Sequence, residues 1–283
     1  MMARRIGIGI GMGIVGAALL LGLAACSEPS ATSPAAAPGP LRFERASADT
    51  VKHGERLSKV LGCSGCHNDA LTGNDWSEPG YGTLWSANLT RSGSRWSEAE
   101  LTQMIVAGKR PDRALMEMPS HLFARLHLDD VAALVSYLRS LEPKGPVHPE
   151  ATIGPLLQKE IDSGAYRNSA QQVEERQDEA LPDLGGDHAV GRQIVSVTCA
   201  ECHGSDLRGK PAPGADTTAR PDLRMVASYD PGDFVRLMRT GKAAGGREVG
   251  LMSSAARRRY ANLTDREVDA VRGYLVELAR RDP

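Results

Sequence analysis

Five residues, Cys63-Ser64-Gly65-Cys66-His67, constrain this chain more than any other stretch. They have a counterpart, Cys199-Ala200-Glu201-Cys202-His203, 136 positions later. Two thiols three residues apart lie on one helical turn, with an imidazole beside the second. C-x-x-C-H at this spacing is the attachment pattern of a c-type haem. Each thiol adds to a vinyl group of the porphyrin, and the adjoining histidine is held beneath the iron as its proximal ligand. Cys63, Cys66 and His67, with Cys199, Cys202 and His203, are therefore the expected attachment and ligand residues of two covalently bound haems. A thioredoxin-like redox pair would need a βαβ setting, and these stretches read as helical. Zinc would need a partner pair of Cys or His, and none lies at zinc-site spacing.

Composition agrees with a large apolar cofactor. Aromatic residues make up only 4% of the 283 positions, few for two packed cores, and two porphyrins would supply the missing apolar surface. Lys and Arg total 34 against 35 Asp and Glu, a balance that gives no sign of nucleic-acid binding. Of the five cysteines, four belong to the motifs and the fifth is Cys26. None remains for a structural disulfide or an active-site thiol.

The N-terminus reads as an address. Arg4 and Arg5 precede an uncharged run from Ile6 to Ala25, which ends in Leu23-Ala24-Ala25-Cys26. A basic start, an apolar run and small residues before a cut site describe a signal peptide over 1–25. An uncleaved membrane helix is the competing reading. The last four residues resemble the lipobox of bacterial lipoproteins, which implies acylation of Cys26 and attachment to a membrane. Either reading puts the chain on the outer, periplasmic side of the inner membrane, where haem is attached to C-x-x-C-H. A Pro/Ala/Ser-rich stretch over 26–41 reads as a flexible tether.

The remainder is expected to be all-α: a first domain over 42–145, a linker over 146–185 and a second domain over 186–283. In the first, Asp49 or Thr50 caps a helix that carries Gly54, Leu57 and Val60 into the motif. Asn68 to Arg95 has little pattern and reads as a long loop. Its Trp76, Tyr81 and Trp85 lie either against a haem edge or in ordinary loop packing. Ser97 and Glu100 form a capping box for a helix Glu98 to Ala107 that stops at Gly108. A last helix, about Asp129 to Leu141, carries an apolar stripe of Val131, Leu134, Val135 and Leu138. The linker has a short surface helix near Pro155 to Ile161. The second domain repeats the order. Asp187 caps the helix into Cys199, Asp230 caps Asp233 to Arg239, Gly241-Lys242 matches Gly108-Lys109, and Thr264 with Glu267 caps the final helix. That helix carries Val268, Val271, Leu275 and Leu278. The halves read as a divergent duplication.

A haem with a second protein ligand tends to carry electrons, and methionine sulfur favours ferrous iron. An irregular loop well downstream must bring that sulfur to the face opposite the histidine. Met252 fits, 49 residues after His203. The first domain offers Met116 and Met118, and spacing alone does not choose between them. His53, His121, His127, His148 and His188 do not recur in equivalent places in both halves, which points to surface or structural roles.

The parts together resemble the class I cytochrome c fold: a helix ending in C-x-x-C-H, a methionine loop and a closing helix with an aromatic. More narrowly, Ala87-Asn88-Leu89-Thr90, Trp96-Ser97-Glu98, Gly108-Lys109-Arg110, Met118-Pro119 and Leu134-Val135-Ser136-Tyr137-Leu138 are similar to the cytochrome subunits of membrane-bound alcohol and sugar dehydrogenases. In that family the ligand methionine directly precedes the proline, which implies Met118. The second domain has Ser253 where the first has Pro119. The family subunits usually carry three haems, whereas this chain has two motifs. The resemblance implies an electron carrier, not an enzyme, working between a dehydrogenase or reductase and a downstream cytochrome or oxidase. The alternative is a dihaem peroxidase with one open haem face, with His121 or Glu117 as its acid/base group. A haem-based sensor would need an output domain, and none is seen. Arg257-Arg258-Arg259 reads as a solvated face rather than a docking patch.

Overall fold

Asp49 opens the first half. Its carboxylate accepts from the backbone N–H groups of Val51 and Lys52 and caps α1 (Thr50–Val60). The computed structural model describes residues 41–210 and 220–282. The expected signal peptide, Cys26 and all but the last residue of the tether lie outside the described residues. From α1 the chain passes Leu61 and the left-handed Gly62 into α2 (Cys63–His67). Then come β1 (Gly82–Thr83), α3 (Leu89–Arg95), α4 (Glu98–Ala107), α5 (Ser120–Phe123) and α6 (Leu128–Ser140). The segment between the halves holds β2 (Thr152–Ile153), α7 (Pro155–Asp162) and α8 (Ser169–Glu175). The second half runs through α9 (Ala189–Thr198), α10 (Ala200–His203), α11 (Pro231–Thr240), α12 (Leu251–Arg258) and α13 (Asp265–Arg281). The described residues are thus mostly helical, with one small sheet in which Gly82 pairs with Ile153 and Thr83 with Thr152, antiparallel.

Each half is built on one crossing between its first and last helices. Leu57 and Val60 of α1 and Val131, Leu134, Val135 and Leu138 of α6 are buried, as are Ile194, Val195, Val268, Val271, Leu275 and Leu278 in the second half. The helices meet at a glycine. A Cβ at Gly54 would stand 1.9 Å from the Ala133 carbonyl oxygen, and one at Gly191 would stand 2.1 Å from that of Ala270. Hydrogen at these two positions is what lets the backbones touch. The capping boxes at Ser97/Glu100 and Thr264/Glu267 are both formed, each reciprocal.

Four local expectations change. Asn68 to Arg95 is not all loop, because α3 forms at its end, capped by Asn88. Its Gly93 lies against α6, where a Cβ would be 1.9 Å from the Leu138 carbonyl oxygen. Tertiary packing there overrides the weak helix propensity of a Ser/Gly-rich stretch. Asp187 does not cap α9 through its side chain; a 3₁₀ turn, Gly186–His188, leads in instead. Met252 lies in the first turn of α12 and not on irregular loop. The stretch 146–185 joins the halves and is largely folded against the first, while its end meets the second, where Tyr274 donates to the Pro182 carbonyl oxygen at 3.1 Å. Trp85 stacks on His148 with centroids 4.2 Å apart, Tyr81 donates to Glu160 at 2.9 Å, and Leu157 and Ser169 are buried. The loop aromatics thus engage this segment, and Trp76 remains half exposed.

Candidate functional site

Both motif histidines are buried, and both are oriented in the same way. His67 Nδ1 lies 2.7 Å from the Ala87 carbonyl oxygen, and His203 Nδ1 lies 2.8 Å from that of Pro221. A carbonyl oxygen only accepts, so Nδ1 carries the proton and donates. The lone pair is left on Nε2, the nitrogen free to ligate a metal. Burial lowers the pKa of both imidazoles, opposed by these carbonyl bonds, and keeps the rings neutral.

The described ends of the loop that supplies the carbonyl repeat the same contacts in both halves. Gly73 N–H donates to the His67 carbonyl and Gly209 N–H to the His203 carbonyl, each at 2.9 Å. Leu89 N–H reaches the Leu71 carbonyl at 2.8 Å, and Leu223 N–H the Leu207 carbonyl at 2.9 Å. Leu71 and Leu207 both adopt left-handed backbone, at φ 58° and 60°. At Gly73 a Cβ would stand 2.4 Å from the Ser86 carbonyl oxygen, and at Gly209 2.0 Å from that of Arg220. The sequence carries this as an H-x-x-x-L-x-G repeat, a signal that the motif reading above passes over.

Cys63, Cys66, Cys199 and Cys202 are free thiols. Burial pushes all four above the usual thiol range, Cys63 to about 11. Among the described residues no three His, Cys, Asp or Glu side chains converge on a metal-ion site, which leaves the zinc reading without a cage. Paired thiols and an imidazole tautomer that leaves Nε2 its lone pair fit a covalently attached haem in each half.

On the methionine side, Met118 and Met252 are partly buried and pack against the core. Met118 immediately precedes Pro119, the N-cap of α5. Ser253, in the proline's place, is buried, accepts from the Val249 N–H and donates to the Gly241 carbonyl oxygen at 2.6 Å. Met238 is core.

Among the other histidines, His53, His127 and His121 have hydrogen-bond partners. His53 is buried against Asp130 at 3.0 Å. His127 caps α6 by accepting from the Asp129 N–H, and His188 holds the N-cap position of α9. His121 Nε2 accepts from Arg176 Nη1 at 2.8 Å, so the lone pair that a general base needs is already taken. Burial, with Arg176 and Arg125 beside it, holds that ring at about 4. The three consecutive arginines are paired one by one: Arg257 with Glu248, Arg258 with Asp69 and Arg259 with Glu201. No helix among the described residues is long and apolar enough to cross a membrane.

Comparison with known proteins agrees with the doubled geometry. The family model described as "Cytochrome c" matches residues 51–142 and again 188–279. The fructose dehydrogenase cytochrome subunit of Gluconobacter japonicus is 23% identical over an alignment that covers 91% of this chain and 56% of that protein. This chain therefore spans little more than half the length of that relative.

Proposed function

Because the chain belongs to the cytochrome c family, with two tandem domains and two covalently bound haems, we propose that it relays single electrons from a dehydrogenase or reductase to a downstream cytochrome or oxidase. Each haem iron cycles between ferric and ferrous and holds one electron. The observation that carries the reading is the repeated site: a buried imidazole fixed through Nδ1 in both halves, with a core-packed methionine downstream in each. His67 with Met118, and His203 with Met252, are the proposed axial pairs. Two protein ligands close both faces of an iron and favour electron transfer over substrate binding.

The name of the Gluconobacter relative, a dehydrogenase cytochrome subunit, supports a dehydrogenase as donor. The Arg5-to-Cys26 pattern supports export, acylation at Cys26 and a periplasmic position on a bacterial membrane. Its test is a redox titration of the purified holoprotein followed by absorption spectra. Two haems are expected, both with the weak sulfur-to-ferric-iron band, and M118A and M252A each remove one share of it. Absence of that band from both haems, or rapid peroxide turnover, would overturn the relay.

A further inference from the structure

We infer that Arg259 is a positioning residue for electron passage between the two haems: its guanidinium fixes one attachment turn against the other. The inference rests on the relay proposed above and names what sets the spacing of its two sites. Arg259 belongs to the second half, between α12 and the 3₁₀ turn Tyr260–Asn262. Its Nε donates to the Val60 carbonyl oxygen at 3.1 Å, and its Nη2 to that of Leu61 at 3.2 Å. These carbonyls lead directly into Cys63. Its Nη1 donates to Glu201 Oε2 at 2.8 Å, and Glu201 lies between Cys199 and Cys202. One planar fork therefore joins the end of α1, which leads into one attachment turn, to the other attachment turn itself.

The rest of the surroundings are built to hold that fork. The Arg259 side chain is 13% exposed, and its guanidinium carbon lies 5.7 Å from the centre of the buried Tyr260 ring. A buried guanidinium is tolerated when its donors are met, and here three acceptors from two domains meet them. Gly62 makes the room. It adopts φ +78°, and a Cβ on it would stand 2.8 Å from Arg259 Nε. Its counterpart before Cys199 is Thr198, which bonds its own helix at the Ile194 carbonyl.

Arg258 adds a tie from the same segment to Asp69, just beyond His67. Elsewhere Arg56 of α1 pairs with the buried Glu267 of α13 and holds the halves together independently. Loss of Arg259 therefore loosens the turns without parting the domains. Covalent attachment ties each macrocycle to its own turn, so the spacing of the turns sets the spacing of the haems.

The test is pulsed EPR of the oxidised holoprotein, reading the separation of the two ferric centres, with flash-induced electron equilibration between them as a second readout. The native chain is expected to give one narrow separation. R259A and E201A broaden it and slow equilibration, because the separation of the two irons is no longer held at one value. R259K falls between, because one ammonium nitrogen cannot serve both carbonyls and the carboxylate in the geometry of a fork. An unchanged separation and rate in R259A and E201A overturn the inference. If R259A fails to take up two haems, E201A decides, because it leaves the bonds to Val60 and Leu61 in place. Two normally titrating haems with unchanged separation would refute the positioning role alone and leave the relay standing.

Discussion

An imidazole offers a metal one defined nitrogen only when something fixes the other. In both halves that something is a backbone oxygen, 20 residues after His67 and 18 after His203. A backbone oxygen has no residue signature, so Ala87 and Pro221 are not readable as partners from sequence, whereas the motif and the repeated leucine and glycine are. The glycines make the first testable case. G73A puts a Cβ 2.4 Å from the Ser86 carbonyl at φ +91°, next to the residue that holds His67. It is expected to destabilise the holoprotein by about 2–3 kcal/mol, read from denaturant midpoints, and to shift the spectrum of the first haem only. His121 makes the second. Its pKa falls from an ordinary 6.5 to about 4 in the folded chain. Above 6.5 both states are neutral and nothing is gained or lost. Between 6.5 and 4 the unfolded chain takes up a proton that the folded chain refuses, so stability falls as pH falls, and it levels off below 4. H121Q is expected to flatten that part of the curve, measured as urea midpoints across the same window.

Helices were legible where an apolar stripe repeats every three or four positions, as in α6 and α13, or where a capping residue marks the start, as in α4, α11 and α13. They were not legible where formation depends on a neighbour. α3 carries Ser-Gly-Ser and forms because Gly93 lies flush on α6. Met252 shows the same limit, since the sequence offers a sulfur at the right distance while the turn of helix that presents it comes from Ser253 docking on Gly241. The crossing of first and last helices is the element on which each half depends. G54A or G191A forces the helices apart against a carbonyl 1.9 or 2.1 Å away. Each is expected to cost about 2–3 kcal/mol, at the upper end because backbone atoms cannot rotate aside. The check is calorimetry of the two single variants. Equal losses would bear on the equivalence of the halves as directly as any alignment.

Duplication was visible in the chain, but the way the copies join was not, because residues in equivalent places bond different partners. Glu267 illustrates this. Its pattern with Thr264 reads as a capping box, and it is one. The same carboxylate also accepts from the Glu44 N–H at 2.9 Å and from Arg56 Nη1 at 2.8 Å, across 223 and 211 positions of chain. The equivalent acid of the first half, Asp130, instead bonds His53 and the Phe43 N–H. Two adjacent backbone amides, at 43 and 44, are thus pinned by one closing helix from each half. Glu267 is 1% exposed and Arg56 13%, so removing the acid strands a largely buried cation. E267A is expected to cost about 3 kcal/mol and to turn one thermal transition into two, as α13 and its domain lose their hold on α1. E267Q keeps a single acceptor oxygen, enough for the Glu44 N–H or the Thr264 N–H but not for both, and turns an amide donor toward the other side, so its midpoint should fall between those of the native chain and E267A. A single transition in E267A would mean that the folded segment 146–185 and Arg259 suffice to keep the halves one cooperative body.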